Sequence, residues 1–511
     1  MELWTSSAGI NRDTYKLYSL PSMRRDVLYP CGFQKWDTKP GLASLVTLAA
    51  RKVTADSKCT FAAVQCCPAN LCTNLLQEAL LRGNDRSINV LVSNWPSKSL
   101  VLRQVLPNVN NYTRARYDDE FCMNVGARQT QAIMYVVTSF VNHIKEGRLK
   151  NLCILDISGF ISGVIVQEFI VTQTEVLNAN KDLQMRVKNG KTGNTLHDEY
   201  LICMPLMVDA DNFPICYKIL KGQKSDSVML KIQIEMLNLN PGLSPRRTWK
   251  LLSCISLERI EGLTVAYVPD AAETDCQLVM EKVKKMTSLH SLSVFITNET
   301  YKHFIEEDIS TLQKLQHLHL ALKLRGNLKK TLDSLSSLSV IEIENIQTTT
   351  ELKCLSEWQG LYNLQELHIT GRFPSGHLLL QVLEKTVNLK GLHLFDKEHF
   401  NQINMEMQPK HLIRVLSRLD QLKYLYICGS FLKIDRDNNS DCLASHEMDP
   451  VTCLPQLEYL HVDRVYWTGW SDADFFDSCA TTLRRRCQAH VSEMRMKKNL
   501  PPCLVEVGMI G

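Results

Sequence analysis

A chain of 511 residues with a formal net charge of +4 and 22% charged residues has room for several domains and an ordinary charge balance. It lacks the basic footprint of a nucleic-acid binder, so direct nucleic-acid binding is not expected and protein partners are. The cysteines run from Cys31 to Cys503 with no CxxC pair, Met1 to Lys16 holds no apolar run behind a basic start, and the most apolar stretch, Cys153 to Val171, is broken by Asp156, Gln167 and Glu168; reduced thiols, no membrane association and a cytoplasmic location are the expectation, with the nucleus as a second compartment.

In chain order, residues 1–40 show neither helical nor strand period and read as a poorly ordered lead-in. Residues 41–148 read as a helical module. Leu42, Leu45, Ala49 and Val53 recur at helical spacing after Gly41, and Leu71, Leu75, Leu76 and Ala79 do so after Pro68. A third helix is predicted over Ser87 to Asn94 and a long fourth from Phe121 to Glu146, ahead of Gly147. Strand pattern then begins with Leu149-Lys-Asn-Leu-Cys-Ile154, and residues 160–255 read as atypical opening repeats.

From Ile260 to Val462 one pattern returns: an aliphatic residue, two of any kind, Leu or Ile, one of any kind, an aliphatic residue. Its copies start at residues 260, 289, 315, 338, 364, 389, 422 and 457, roughly 23 to 35 residues apart. The aliphatic positions of one copy find burial only against the next copy, and helical patterns lie between strands, as from Pro409 to Leu419. The expected fold is α/β, a leucine-rich-repeat solenoid shaped as a horseshoe, with parallel strands on the concave side and helices on the convex side. The array is expected over 149–470, with a C-terminal cap over 471–511 whose helix from Ser471 buries Phe475, Phe476, Cys479 and Leu483. Three residues after each last aliphatic, where common repeats place Asn or Cys, stand Val268, Thr297, Lys323, Ile346, Arg372, Lys397, Ser430 and Val465, which marks a divergent class.

No phosphate loop, HExxH helix, GxSxG elbow or zinc-type Cys/His spacing occurs, so no enzyme, cofactor, metal or catalytic residue is expected. The third and fifth residues of each copy point away from the core. That places His317, His319, Glu342, Glu366, His368 and His393 in one exposed patch beside Tyr424, Tyr426, Tyr459 and His461, a surface for an unidentified protein substrate. A polar strand face without a partner is the plain alternative.

Four segments carry a family resemblance: Ser44-Leu-Val-Thr-Leu-Ala-Ala-Arg-Lys-Val53, Cys67-Pro-Ala-Asn-Leu71, Val92-Ser-Asn-Trp-Pro96 and Leu152-Cys-Ile-Leu-Asp156. In order and spacing they resemble the PRAME family of leucine-rich-repeat proteins, from about Gly41 to Val465. The resemblance implies a non-catalytic substrate-recognition subunit of a cullin-2 RING ubiquitin ligase. Ser44, Leu45, Ala49 and Val53 would enter elongin C of the elongin B/C pair, and Pro68, Leu71 and Leu75 would form a box selecting cullin-2. Ala49 departs from the family's preferred Cys and fills a pocket less. The same stripe also suits a helix that buries the edge of the first repeat. Relatives also imply a second role, a signalling or transcriptional scaffold that holds a regulator without ubiquitin transfer.

Overall fold

A computed structural model gives the structure of the chain, and it describes residues 45–105, 120–157, 200–223, 230–239, 242–267, 273–296, 309–321, 328–371, 373–396, 409–428, 449–452, 454–466, 485 and 487–510. The lead-in 1–40, Ser44 and the start of the expected C-terminal cap, with Phe475, Phe476, Cys479 and Leu483, lie outside these residues. Two compact units are present, Met1–Leu263 and Thr264–Gly511, and the division falls within the array expected over 149–470. Among the described residues no helix is long and apolar enough to cross a membrane.

The first unit opens with helices Leu45–Thr54, Ser57–Cys66, Ala69–Arg82 and Asp85–Ser93, followed later by the long helix Glu120–Glu146. The expected helices are present within a few residues of their predicted ends. Ser57–Cys66 has no counterpart among the predictions, because only Thr60 and Val64 of that helix are buried and the apolar signal is correspondingly thin. Asp56 starts it, its side chain accepting from the Lys58 N–H, and a left-handed Gly83 ends Ala69–Arg82. Strands β1 (Ser99–Val101), β2 (Ile154–Asp156), β3 (Tyr200–Val208) and β4 (Leu230–Leu239) pair in chain order, each parallel to the next. Strand β5 (Gly262–Tyr267) spans the division.

The second unit continues with β6 (Ser291–Ile296), β7 (His317–Ala321), β8 (Val340–Ile346), β9 (Glu366–Gly371), β10 (Gly391–Asp396), β11 (Tyr424–Cys428), β12 (Tyr459–Tyr466) and β13 (Leu504–Ile510). All adjacent pairs from β6 to β13 are parallel. Parallel neighbours need crossovers, and helices such as Thr349–Glu357, Gly376–Lys385 and Pro409–Leu416 supply them. The chain is therefore α/β with an all-parallel pairing of strands.

Each aliphatic position of the eight copies is buried, none above 3% exposed. One backbone device recurs with them. The carbonyl of the second residue of a copy accepts two N–H groups from the next: His290 O from Gln316 and His317, Gln316 O from Ser339 and Val340, Ser339 O from Gln365 and Glu366, Gln365 O from Lys390 and Gly391. A second recurrence lies three residues before each copy, where Leu257, Met286, Leu312, Leu335, Leu361, Thr386, Leu419 and Leu454 are buried. The carbonyl there accepts from the N–H of the first aliphatic, as Leu312 does from Leu315 and Leu361 from Leu364. Every copy thus starts with a turn that the aliphatic pattern alone did not include.

That extra position explains a register correction in the first unit. The pattern predicted strand over Leu149–Ile154, whereas β2 begins at Ile154 and the buried residues are Leu149, Leu152, Leu155 and Ile157. Leu152-Cys-Ile-Leu-Asp-Ile157 matches the copies, and Leu149 stands at the buried position three residues before it. The Lys98 carbonyl accepts from Cys153 and Ile154 in the same double fashion. Leucines three apart let the pattern fit one step early.

The C-terminal segment differs from the expected helical cap by adding strand β13, parallel to β12. Arg495, 1% exposed, fastens it. Its Nε donates to the Pro501 carbonyl at 2.6 Å and its Nη1 to the carbonyls of Thr452 and Leu454 at 2.8 and 2.9 Å. Among the described cysteines none is in a disulfide, and Cys72, Cys203, Cys216, Cys428, Cys487 and Cys503 are buried. Burial pushes the thiols of Cys203 and Cys216 up to about 12 and that of Cys503 to about 11, which keeps them protonated.

Candidate functional site

Register sets the expected surface residues in two rows across the second unit. Ser291, His317, Val340, Glu366, Gly391, Tyr424 and Tyr459 align in one, and Ser293, His319, Glu342, His368, His393, Tyr426 and His461 in the other. The strand alternation brings together the residues singled out from sequence.

Their exposure is a correction. His317, His319, Glu342, Glu366, His368 and His393 are all buried. Strands stand about 4.8 Å apart, so side chains in a row shield one another, and here they also bond laterally. Nε2 of His317 donates to Glu342 Oε1 at 3.1 Å, and Nδ1 of the same ring lies 2.7 Å from the Ser291 hydroxyl. A carboxylate only accepts, so Nε2 carries the hydrogen, and in the neutral ring Nδ1 accepts from Ser291. His319 Nε2 donates to Glu344 at 3.2 Å, and His368 Nε2 to Glu366 at 3.3 Å. Gly391 makes room for Glu366: a side chain there would start 3.2 Å from Glu366 Cγ and 3.4 Å from its carboxyl carbon. The carboxyl group therefore sits over the glycine, one strand away from Tyr424.

Toward β11 and β12 the face opens. Tyr424, Tyr426, Tyr459 and His461 are half-buried, as is Phe395. The Tyr426 ring meets His393 edge-on at 4.2 Å and lies parallel to His461 at 4.4 Å. The Tyr459 hydroxyl is 3.2 Å from His461 Nδ1, and that of Tyr424 is 3.4 Å from Glu458. The accessible part of the candidate site is thus its aromatic end. Among the described residues no group of three His, Cys, Asp or Glu side chains has a metal-binding arrangement.

Helix Leu45–Thr54 forms the second candidate. Ala50 and Thr54 are its buried residues. The Thr54 carbonyl accepts from Asn84 Nδ2 at 2.6 Å and from the Ser87 hydroxyl at 2.8 Å, while Arg51 Nε is 3.0 Å from Glu78 Oε2. These contacts fasten one side. The other carries Leu45, Leu48, Ala49 and Lys52, all exposed, at spacings that share a face; Leu45 is 84% exposed. Val53 is half-buried. Sequence reading named Leu45, Ala49 and Val53 but missed Leu48, which spacing of three from Leu45 places on the same stripe.

The three residues of the expected cullin box do not share a free face. Pro68 is exposed and Leu71 half-buried, but Leu75 is 5% exposed and belongs to the core of the helical module. Helical spacing of four between Leu71 and Leu75 fits a buried stripe as well as a docking one, and Cys72, Leu76 and Ala79 of the same helix are buried along with Leu75. Neither the models of known protein families nor the curated proteins give a match to this chain.

Proposed function

We propose that this chain is a leucine-rich-repeat solenoid of the PRAME type that serves as the non-catalytic substrate-recognition subunit of a cullin-2 RING ubiquitin ligase. Helix Leu45–Thr54 enters an apolar groove of elongin C, and the strand face of the repeats carries a protein substrate. The observation that supports the reading most is the apolar stripe of Leu45, Leu48 and Ala49, held out by a helix whose opposite side is fastened. Helix-in-groove recognition needs such anchors at spacings of three and four. A contiguous apolar stripe is also unlike scattered surface leucines, which need no partner.

Burial of Leu75 favours a second reading at one point, a scaffold that holds a regulator without recruiting a cullin. Co-expression of the full chain with elongin B/C and cullin-2, followed by size-exclusion chromatography, separates the two. The ligase reading expects one complex containing all the partners. A complex with elongin B/C alone favours the scaffold, and a free chain contradicts the elongin helix.

A further inference from the structure

The strand face of the second unit has an unusual charge balance for a chain of net charge +4. At the first, third and fifth positions of β6 to β12 no residue is Lys or Arg, while Glu342, Glu344 and Glu366 are among them. Lys390 and Lys423 each directly precede a strand and are engaged with Gln365 at 3.1 Å and Glu458 at 3.6 Å. Half-buried aromatic rings lie at the same end as the Glu366 carboxyl group, which Gly391 allows to sit one strand from Tyr424.

A planar cation suits this combination. Guanidinium stacks on aromatic rings and bonds carboxylates through two parallel N–H groups, whereas an ammonium does neither in that geometry. We propose that the β9–β12 end of this face binds an arginine-bearing extended segment of a partner protein, with guanidinium against Tyr424 and Tyr426 and within reach of Glu366. The inference rests on reading this face as the partner site, and it is independent of the elongin helix. A neutral or acidic segment would add no cation beside Glu366, whose Oε2 already accepts from His368, and would forfeit the charge complementarity.

The test uses the full chain and fluorescence anisotropy with labelled peptides of one length: a Gly/Ser peptide with spaced arginines, the same peptide with citrulline at those places, and one with glutamate. The arginine peptide is expected to bind about tenfold or more tightly than the citrulline peptide, and to weaken as salt rises. Tyr424→Leu and Glu366→Gln, each checked for an unchanged melting curve, are expected to reduce that binding about tenfold. Tyr459→Leu supplies a further variant on a half-buried residue should Glu366→Gln lower the melting temperature. Equal binding of the citrulline peptide, arginine binding indifferent to Tyr424→Leu and Tyr459→Leu, or no binding overturns the proposal. Glutamate-peptide binding that depends on Tyr424 also overturns it, yet keeps the face as a partner site. Co-purification of elongin B/C with the same variants reports on the helix alone, so a failure here is distinguishable from a failure of the ligase reading.

Discussion

The strand face of the second unit and the outer side of helix Leu45–Thr54 invert the usual rule in opposite directions. In the first, histidines and glutamates are buried; in the second, leucines are exposed. The sheet buries polar residues where lateral neighbours bond and shield them, as Ser291, His317 and Glu342 do. The helix exposes apolar ones because its contacts with Asn84, Ser87 and Glu78 all lie on one side. Burial here follows from the number of neighbours a position has, and residue polarity decides only whether that burial is tolerated. A face that buries its polar residues with partners contributes to stability, while an apolar stripe left open is available to a partner at little structural cost.

Breaking the buried ladder should have the largest effect. His317→Leu leaves the Glu342 carboxylate buried without its His317 donor, and a loss of about 3–5 kcal/mol is expected in urea unfolding. Replacing His317 and Glu342 together by Leu should cost less than His317→Leu alone, since no charge is then stranded. A double variant worse than the single one would mean that Glu342 stabilises the fold through contacts other than that with His317.

Next in size is the edge of the same face. Gly371 ends β9 at φ +146°, and a Cβ there would stand 2.3 Å from the Ile346 carbonyl oxygen. Gly371→Ala should destabilise by about 1–3 kcal/mol, read from the thermal midpoint. An unchanged midpoint would show that the β8–β9 register shift adapts freely.

The first unit has its own half-buried histidine for contrast. Burial holds the His143 imidazole below its ordinary 6.5, although its Nε2 lies 3.1 Å from the Asn89 carbonyl. The folded state then binds fewer protons than the unfolded state beneath that value, so this contribution is present above 6.5 and is lost as pH falls through the window below it. Urea midpoints compared between about pH 7.5 and 5.5 should drop less in His143→Phe than in the parent chain. An identical drop would assign the pH dependence to other groups.

The smallest expected effect belongs to the exposed stripe. Leu48→Ser should change stability by no more than about 0.5 kcal/mol, because the side chain gives up little burial. A larger loss would place Leu48 in a packed site.

Much of the strand order was legible because its period is enforced by burial: each aliphatic of the eight copies is buried. What escaped were features with weak apolar signal. Thr386 takes a turn position that is Leu or Met in other copies, so the turn was invisible as a pattern, and the early register at Leu149 followed from that omission. Strand β13 was hidden because Leu504–Ile510 holds no full copy of the aliphatic pattern. At the candidate site the alternation correctly grouped His317 through His461 on one face. Exposure did not follow from alternation, because lateral pairs such as His319 with Glu344 depend on which side chains the register sets in adjacent strands.

The exposed stripe is the point on which the functional account turns, and Leu45→Asp addresses it most directly. Wild type, Leu45→Asp and Ala49→Cys are each titrated with purified elongin B/C and melted in parallel. The account predicts that Leu45→Asp melts like wild type but loses binding by about a hundredfold or more, since a carboxylate would have to enter an apolar pocket unpaired. Ala49→Cys should bind more tightly, with no change in melting. A wild-type chain and an Ala49→Cys variant that both fail to bind, or a Leu45→Asp variant destabilised by about 2–5 kcal/mol as a core defect would be, contradicts it.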